Sequence, residues 1–355
     1  MLRDRDSVVS DEGIIFRVYG YDHPPKAYLC DVEYAPETIY RVGLSKALRQ
    51  FINGSGPAYY KFYEDEGLRF VAAKYEKYLI PHEGMGVKLV GIKEDQIREV
   101  RRADQRLKVL LTLKDDALIR TLRSVLNIVQ ELSTLKSEDF GVFGSLQHGF
   151  YHPDYSDIDL VIYGRKKLHE LLELLENLYR DPSSGFTNEY ERLALKTAGK
   201  RWRFKNYGLK EFIWHQARKL IYGVYESKEL GRPVKVEFEP VRDWSEIKNE
   251  YDPKLRIIDR GWIKAVVKVT DAKDSGFMPS LYGVSVERIL NGLKVDDIVR
   301  VVSYVEEFRL QAKEDETCLV AGTLEKVEGP GKSFHQITLT RKPRYYEQVL
   351  KVVKQ

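Results

Sequence analysis

Cysteine is nearly absent from this chain of 355 residues, which carries only Cys30 and Cys318. The two lie far apart inside the apolar runs AYLCDV and TCLVAG, so neither a disulfide framework nor a zinc ribbon can be built, and buried reduced thiols are expected. Long apolar runs are lacking too. No stretch approaches the roughly 18 consecutive apolar residues of a membrane span, and MLRDRDSVVSDEG has no secretory apolar core. A membrane partner is therefore not expected, and a cytoplasmic setting is. G-x-S-x-G, H-E-x-x-H and G-x-x-x-x-G-K-[ST] are all missing, which removes the nucleophile elbow, the zinc-protease helix and the P-loop.

What is present is a soluble, globular composition, 43% hydrophobic and 32% charged, with a surface richer in charge than usual. Few Cys and Met beside many Lys and Glu suit a heat-adapted protein. Net charge is only +4, so any case for a polyanionic partner must rest on local clusters.

The length allows two or three domains. Residues 1–92 read as an α+β region: two strands flank the turn DHPP within 14–34, a helical patch lies near 43–52, and RFVAAKYEKYLI and VKLVGI look like strands. From 93 to 134 the pattern is helical, EDQIREVRRADQRLKVLLTL and then ALIRTLRSVLNIVQELSTL with Leu118, Leu122, Val125, Leu126 and Val129 on one face. FGVFG and IDLVIYG read as strands, LHELLELLENLY as a core-packing helix, 187–230 as mostly helical around one short strand-like piece, and VKVEFEPV as a strand closed by Pro240. These elements place an α/β domain over 93–250. Beyond 251 short apolar runs alternate with Gly and Asp, as in a small β-barrel or sandwich, and we take 251–355 as barrel-like.

The stretch GSLQHGFYHPDYSDID, residues 144–159, carries the chemistry. Residues i and i+2 of a strand share a face, so Asp157 and Asp159 present two carboxylates together, an arrangement that repels itself unless a cation lies between. Magnesium, a hard cation that takes oxygen ligands and leaves room for phosphate, is the natural choice, with manganese as a substitute. Gly144 and Ser145 open a turn or helix after a strand, where free N–H groups and a hydroxyl can hold a terminal phosphate. A third carboxylate is needed from a neighbouring strand, and VKVEFEPV offers Glu237 and Glu239 on one face. His148 and His152 have i, i+4 spacing, but Gly149 and Pro153 argue against a helix joining them, so a metal pair is not expected.

A strand, Gly-Ser, eleven residues, Asp157-Ile-Asp159, an apolar strand and a later apolar-carboxylate strand together resemble the polymerase β-like nucleotidyltransferase superfamily. VEFEP is similar to the third-acid strand of archaeal CCA-adding enzymes. The resemblance spans about residues 118–241 and extends, in overall arrangement, to archaeal proteins known only as predicted nucleotidyltransferases. It implies a multidomain α+β and α/β chain whose central transferase domain, a mixed sheet with helices, lies between the N-terminal α+β region and the C-terminal β-barrel. It also implies Asp157, Asp159 and Glu237 as catalytic metal ligands, with Glu239 as the rival third acid, and a nucleoside triphosphate as substrate.

Between Lys196 and Lys219 eight Lys or Arg stand against the single acid Glu211. Within RWRFK the strand period puts Arg201, Arg203 and Lys205 on one face, and Lys200, Arg201 and Arg203 are candidates to bind the nucleotide or a nucleic-acid backbone. The expected reaction moves a nucleoside monophosphate to a hydroxyl, with RNA or single-stranded nucleic acid as candidate acceptor, and releases pyrophosphate. The competing expectation is a catalytically weak nucleotide- or nucleic-acid-binding module on the same fold.

Overall fold

The computed structural model describes residues 1–41, 48–52, 54–113, 116–192, 203–340 and 344–353. They divide into two compact units, one of 1–81, 88–188 and 221–250, the other of 82–87, 189–220 and 251–355. Several sheets and helices make this a mixed α+β chain.

The first unit opens with strands β1 (Ser7–Ser10), β2 (Ile15–Val18), β3 (Ala27–Pro36), β4 (Leu48–Arg49), β5 (Tyr59–Lys61), β6 (Leu79–His82), β7 (Val87–Lys93) and β8 (Ile97–Arg101). Their sheet runs β4-β5-β3-β2-β1-β8, with β7 pairing both β3 and β6. In β3 the register to β2 steps from Tyr34–Ile15 to Val32–Phe16, leaving Glu33 as an extra residue. Such a bulge re-aims a side chain, a point that matters for the site.

Three local expectations need correction. Residues 69–74 belong to helix α1 (Glu66–Lys74), because Gly67, Phe70 and Val71 have helical rather than alternating spacing and are buried together. Ile97–Arg101 is a strand, since pairing with β1 outweighs its weak helical pattern. Arg49, expected in a helical patch, is in β4 opposite Tyr59; residues 42–47 of that patch lie outside the described residues.

Helices α2 (Ala103–Thr112) and α3 (Ala117–Leu132) follow, the second capped by the Asp116 carboxylate, which accepts from Ile119 N at 2.9 Å. Then come β9 (Phe140–Val142), the short helix α4 (Gly144–His148), β10 (Ile158–Tyr163), α5 (Arg165–Arg180), β11 (Phe186–Asn188), β12 (Tyr222–Ser227) and β13 (Arg232–Val241). The sheet order is β11-β12-β13-β10-β9, with β10 and β13 parallel and the other pairs antiparallel. Tyr222–Ser227 lies in the stretch expected to be mostly helical. Its aromatic and β-branched residues instead form a hairpin with β13, turned at Gly231, whose φ is +62°. On β10, Ile158, Leu160 and Ile162 share one face, while Val161 and Tyr163 on the other pack with Ala103 of α2, Phe143 and Val241. Leu171, Leu174, Leu175 and Leu178 of α5 are buried, as the leucine spacing predicts.

The second unit holds β14 (Arg256–Asp274), β15 (Ser280–Asn291), β16 (Ile298–Ser303), β17 (Thr317–Gly329), β18 (Lys332–Leu339) and β19 (Val349–Val352). The order is β14-β15-β16-β18-β17-β19, and β14 also pairs β17, so five strands are hydrogen-bonded in a ring. Its core includes Ile263, Val267, Tyr282, Val301, Val320 and Ile337, joined by Phe204 and Tyr207. Both cysteines are free and buried, Cys318 in this core and Cys30 in that of the first sheet.

Candidate functional site

Parallel pairing of β10 with β13 brings the expected acids together. Asp159 stands opposite Glu237 in the register, and Val161 opposite Glu239. Adjacent residues of a parallel pair point to the same face, so Asp159 and Glu237 are direct neighbours. Asp157 lies one residue before β10 and is exposed. Burial first, then the charges of Glu237 and Asp157, push the Asp159 carboxyl well above the usual carboxylate range, while Lys61 and Lys235 oppose them. Asp159 therefore feels the charge of both other acids.

Gly144 touches this cluster through its backbone. Its φ is +61°, and a Cβ added there would meet Asp159 Oδ2 at 2.7 Å. Glycine adopts this left-handed conformation without strain and keeps the space against the Asp159 carboxylate open. Phe143 N donates to the Asp159 carbonyl at 3.1 Å, fixing the turn to β10, and the half-buried Ser145 follows as the second residue of α4.

Glu239 is engaged elsewhere. It is buried and takes a 2.6 Å ion pair from the Arg5 guanidinium, whose side chain is 1% exposed. Glu237 remains half-buried, paired with Lys235 two residues earlier on the same face. Among the described residues no three or more His, Cys, Asp and Glu side chains are arranged to hold a metal ion. The donor set itself fits a hard divalent cation: register-paired carboxylates, one of them with raised proton affinity, supply oxygen ligands and excess negative charge.

Lys200 and Arg201 lie outside the described residues. Arg203 belongs to the second unit, where it donates to the Tyr346 hydroxyl at 3.2 Å. Residues 203–208 form a turn rather than a strand, with Phe204 in the core and Lys205 paired to Glu347. His148 and His152 are not on one helix: α4 ends at His148, and His152 is exposed near Asp154.

Sequence reasoning missed the support that the N-terminal sheet gives α4. Gln147 is buried; it accepts from Ser7 Oγ at 3.1 Å and donates to the carbonyls of Arg5 and Arg101 at 3.1 and 2.9 Å. His148 is buried between Glu33, the bulge residue, and Arg101, each at 3.3 Å, with its ring against Tyr34 and Phe150. Lys61 was missed as well, since nothing in its local sequence marks it. Lys235 was missed too, although its alternation with Glu237 could have marked it.

Comparison with known proteins agrees with this geometry. Residues 122–239 match the family described as a nucleotidyltransferase domain. The chain is 24% identical over 355 residues to the uncharacterized protein MJ1086 of Methanocaldococcus jannaschii, covering 99% of each. No solved structure matches it. With the Gly-Ser turn against Asp159 and the acid strand beside it, the segment 122–239 is a nucleotidyltransferase domain of the polymerase β-like superfamily.

Proposed function

We propose that the protein moves a nucleoside monophosphate from a nucleoside triphosphate to a hydroxyl acceptor. The acceptor oxygen bonds to the α-phosphorus, the bridge to the β-phosphate breaks, the hydroxyl proton goes to solvent, and pyrophosphate leaves. The observation that carries this reading is the register pairing of Asp159 with Glu237, with the Asp159 carboxylate against Gly144.

In this reading Asp157, Asp159 and Glu237 hold the divalent cations, magnesium or manganese, which when bound polarise the phosphate and lower the pKa of the attacking hydroxyl. Ser145 and the backbone at Gly144 orient the β- and γ-phosphates. Lys61 and Lys235, already felt by Asp159, offset the negative charge that grows on the phosphates in the transition state. Lys200, Arg201 and Arg203 keep a proposed role toward the triphosphate or a nucleic-acid backbone. The division into a leading region 1–92, a transferase region 93–250 and a β-barrel region 251–355 belongs to the same proposal, and the ring of five paired strands supports the barrel. Such barrels present faces to single-stranded nucleic acid, which makes RNA the favoured acceptor.

One observation favours the second reading, a binding module with little turnover: Glu237 is paired with Lys235, and the described acids are not arranged as a three-ligand metal site. Label transfer from each α-labelled nucleoside triphosphate into RNA, DNA and protein, with magnesium or manganese, separates the two. Incorporation that is lost in Asp157→Asn/Asp159→Asn upholds the transferase. Nucleotide binding without incorporation in any pool upholds the module.

A further inference from the structure

On the side of α4 turned to β8 and α2, a cleft of about 360 Å³ opens. Arg101, Arg102 and Arg106 line it together, with Gln105 at the rim and Glu99 as its acid. The neighbouring wall is Gln147, His148 and Gly149 at the end of α4. Its apolar lips are Phe51 and the exposed Ile52, Val100 and Val109.

The guanidinium balance in this cleft is unusual. Arg101 spends its Nε and Nη2 on the Glu99 carboxylate, at 2.7 and 3.1 Å. Arg106 is half-buried and donates Nε to the Leu146 carbonyl at 3.2 Å, and Arg102 lies 5.9 Å from the Trp244 ring centroid. Among the described residues neither Arg102 nor Arg106 has a carboxylate partner. Burial and the neighbouring cation Arg101 both disfavour the charge on Arg106. Holding like charges together, partly withdrawn from water, is unfavourable without an anion between them. Guanidinium forks match phosphate oxygens, and apolar lips suit the sugar and base beside them.

We infer that this cleft binds phosphate groups of a nucleotide acceptor, foremost the backbone of a single-stranded nucleic acid. That the bound strand is the acceptor rests on the transferase reading; the binding itself does not. Arg101 also contacts His148, so an occupied cleft abuts the helix that begins at Gly144 and Ser145.

The test is fluorescence anisotropy of a labelled oligo-uridylate titrated with the full chain across a range of salt, with uridine monophosphate and inorganic phosphate as competitors. For Arg102→Ala/Arg106→Ala we expect affinity to fall at least about tenfold and the salt slope to shrink by about 1.4, as for two lost contacts to a single strand. Because Arg106 also holds α4, Gln105→Lys is the second variant, expected to tighten binding and steepen the slope by about 0.7. Competition by the monophosphate at equal phosphate concentration assigns the cleft to a free nucleotide; weak competition assigns it to a strand. An affinity and slope that neither variant changes, or a wild type that binds none of the three probes, overturns the inference. Label transfer by the wild type, measured beside this titration, separates the two proposals. If the wild type shows no transfer while arginine-dependent binding persists, the transferase reading fails and the cleft stands.

Discussion

Glu237 and Glu239 sit two residues apart on one strand face, yet their surroundings give them different work. Glu239→Gln takes the shorter of two carboxylate pairs from the buried Arg5 guanidinium and leaves it only Asp4 at 3.8 Å, so we expect a loss of stability of up to about 3 kcal/mol, read by chemical denaturation. Glu237→Gln changes a half-buried group beside Asp159. Its melting temperature should stay near wild type while nucleotidyl transfer falls at least about a hundredfold. The opposite pattern in the two variants would exchange their roles. A second residue-scale prediction concerns the buried run Arg3-Asp4-Arg5-Asp6. Burial pushes Asp6 from 3.8 up to about 6, against the backbone N–H groups of Arg3 and Ala103 that hold its carboxylate. The native state then binds this proton more tightly than the unfolded chain, so its contribution to stability falls as pH rises through that window. The stability of Asp6→Asn minus that of wild type should therefore increase between those pH values, by up to about 3 kcal/mol. A flat difference would refute the assignment.

At the scale of the element, α4 is five residues long and cannot be stable by itself; packing and hydrogen bonds from the N-terminal sheet hold it. Gln147→Ala removes three hydrogen bonds and leaves the Arg5 and Arg101 carbonyls to find other donors. The expected cost is about 1 to 3 kcal/mol, with transfer reduced more than a general loss of stability explains. Gly144→Ala should be worse for activity than for folding, because its Cβ would strike the Asp159 carboxylate, and single-turnover incorporation is the measurement that shows it. Elements with strong periodicity, such as the leucine face of α5 and the apolar runs of β9 and β10, were legible in the sequence. Ile97–Arg101 was not, because it takes its form from pairing with β1, remote in sequence. Tyr222–Ser227 was not, because the hairpin with β13 and the pairing with β11 override its local pattern.

For the whole molecule, the division into units is not a division of the sequence at two points. Residues 189–220 belong with 251–355, and Phe204 and Tyr207 are buried in the second core beside residues such as Ile263 and Phe308. A chain cut after Glu250 would expose those aromatics to water. We expect it to aggregate or melt without a sharp transition, and a cooperative, soluble truncation with full transfer activity would count against this account.

The sequence by itself marked the candidate acids Asp157 and Asp159 and the Gly144-Ser145 turn before them, and its two remote cysteines exclude disulfide or zinc frameworks. It also marked VKVEFEPV as the candidate third-acid strand, with Glu237 favoured by the family resemblance and Glu239 as its rival. Tertiary structure separated them by setting the register of β10 against β13 and by burying Arg5 against Glu239. It likewise decided that Glu33, His148 and Arg101 meet, and that Arg101, Arg102 and Arg106 share one cleft. The physical reason is the same in each case: spacing along the chain specifies faces over a few residues, whereas pairing between distant strands specifies which faces meet.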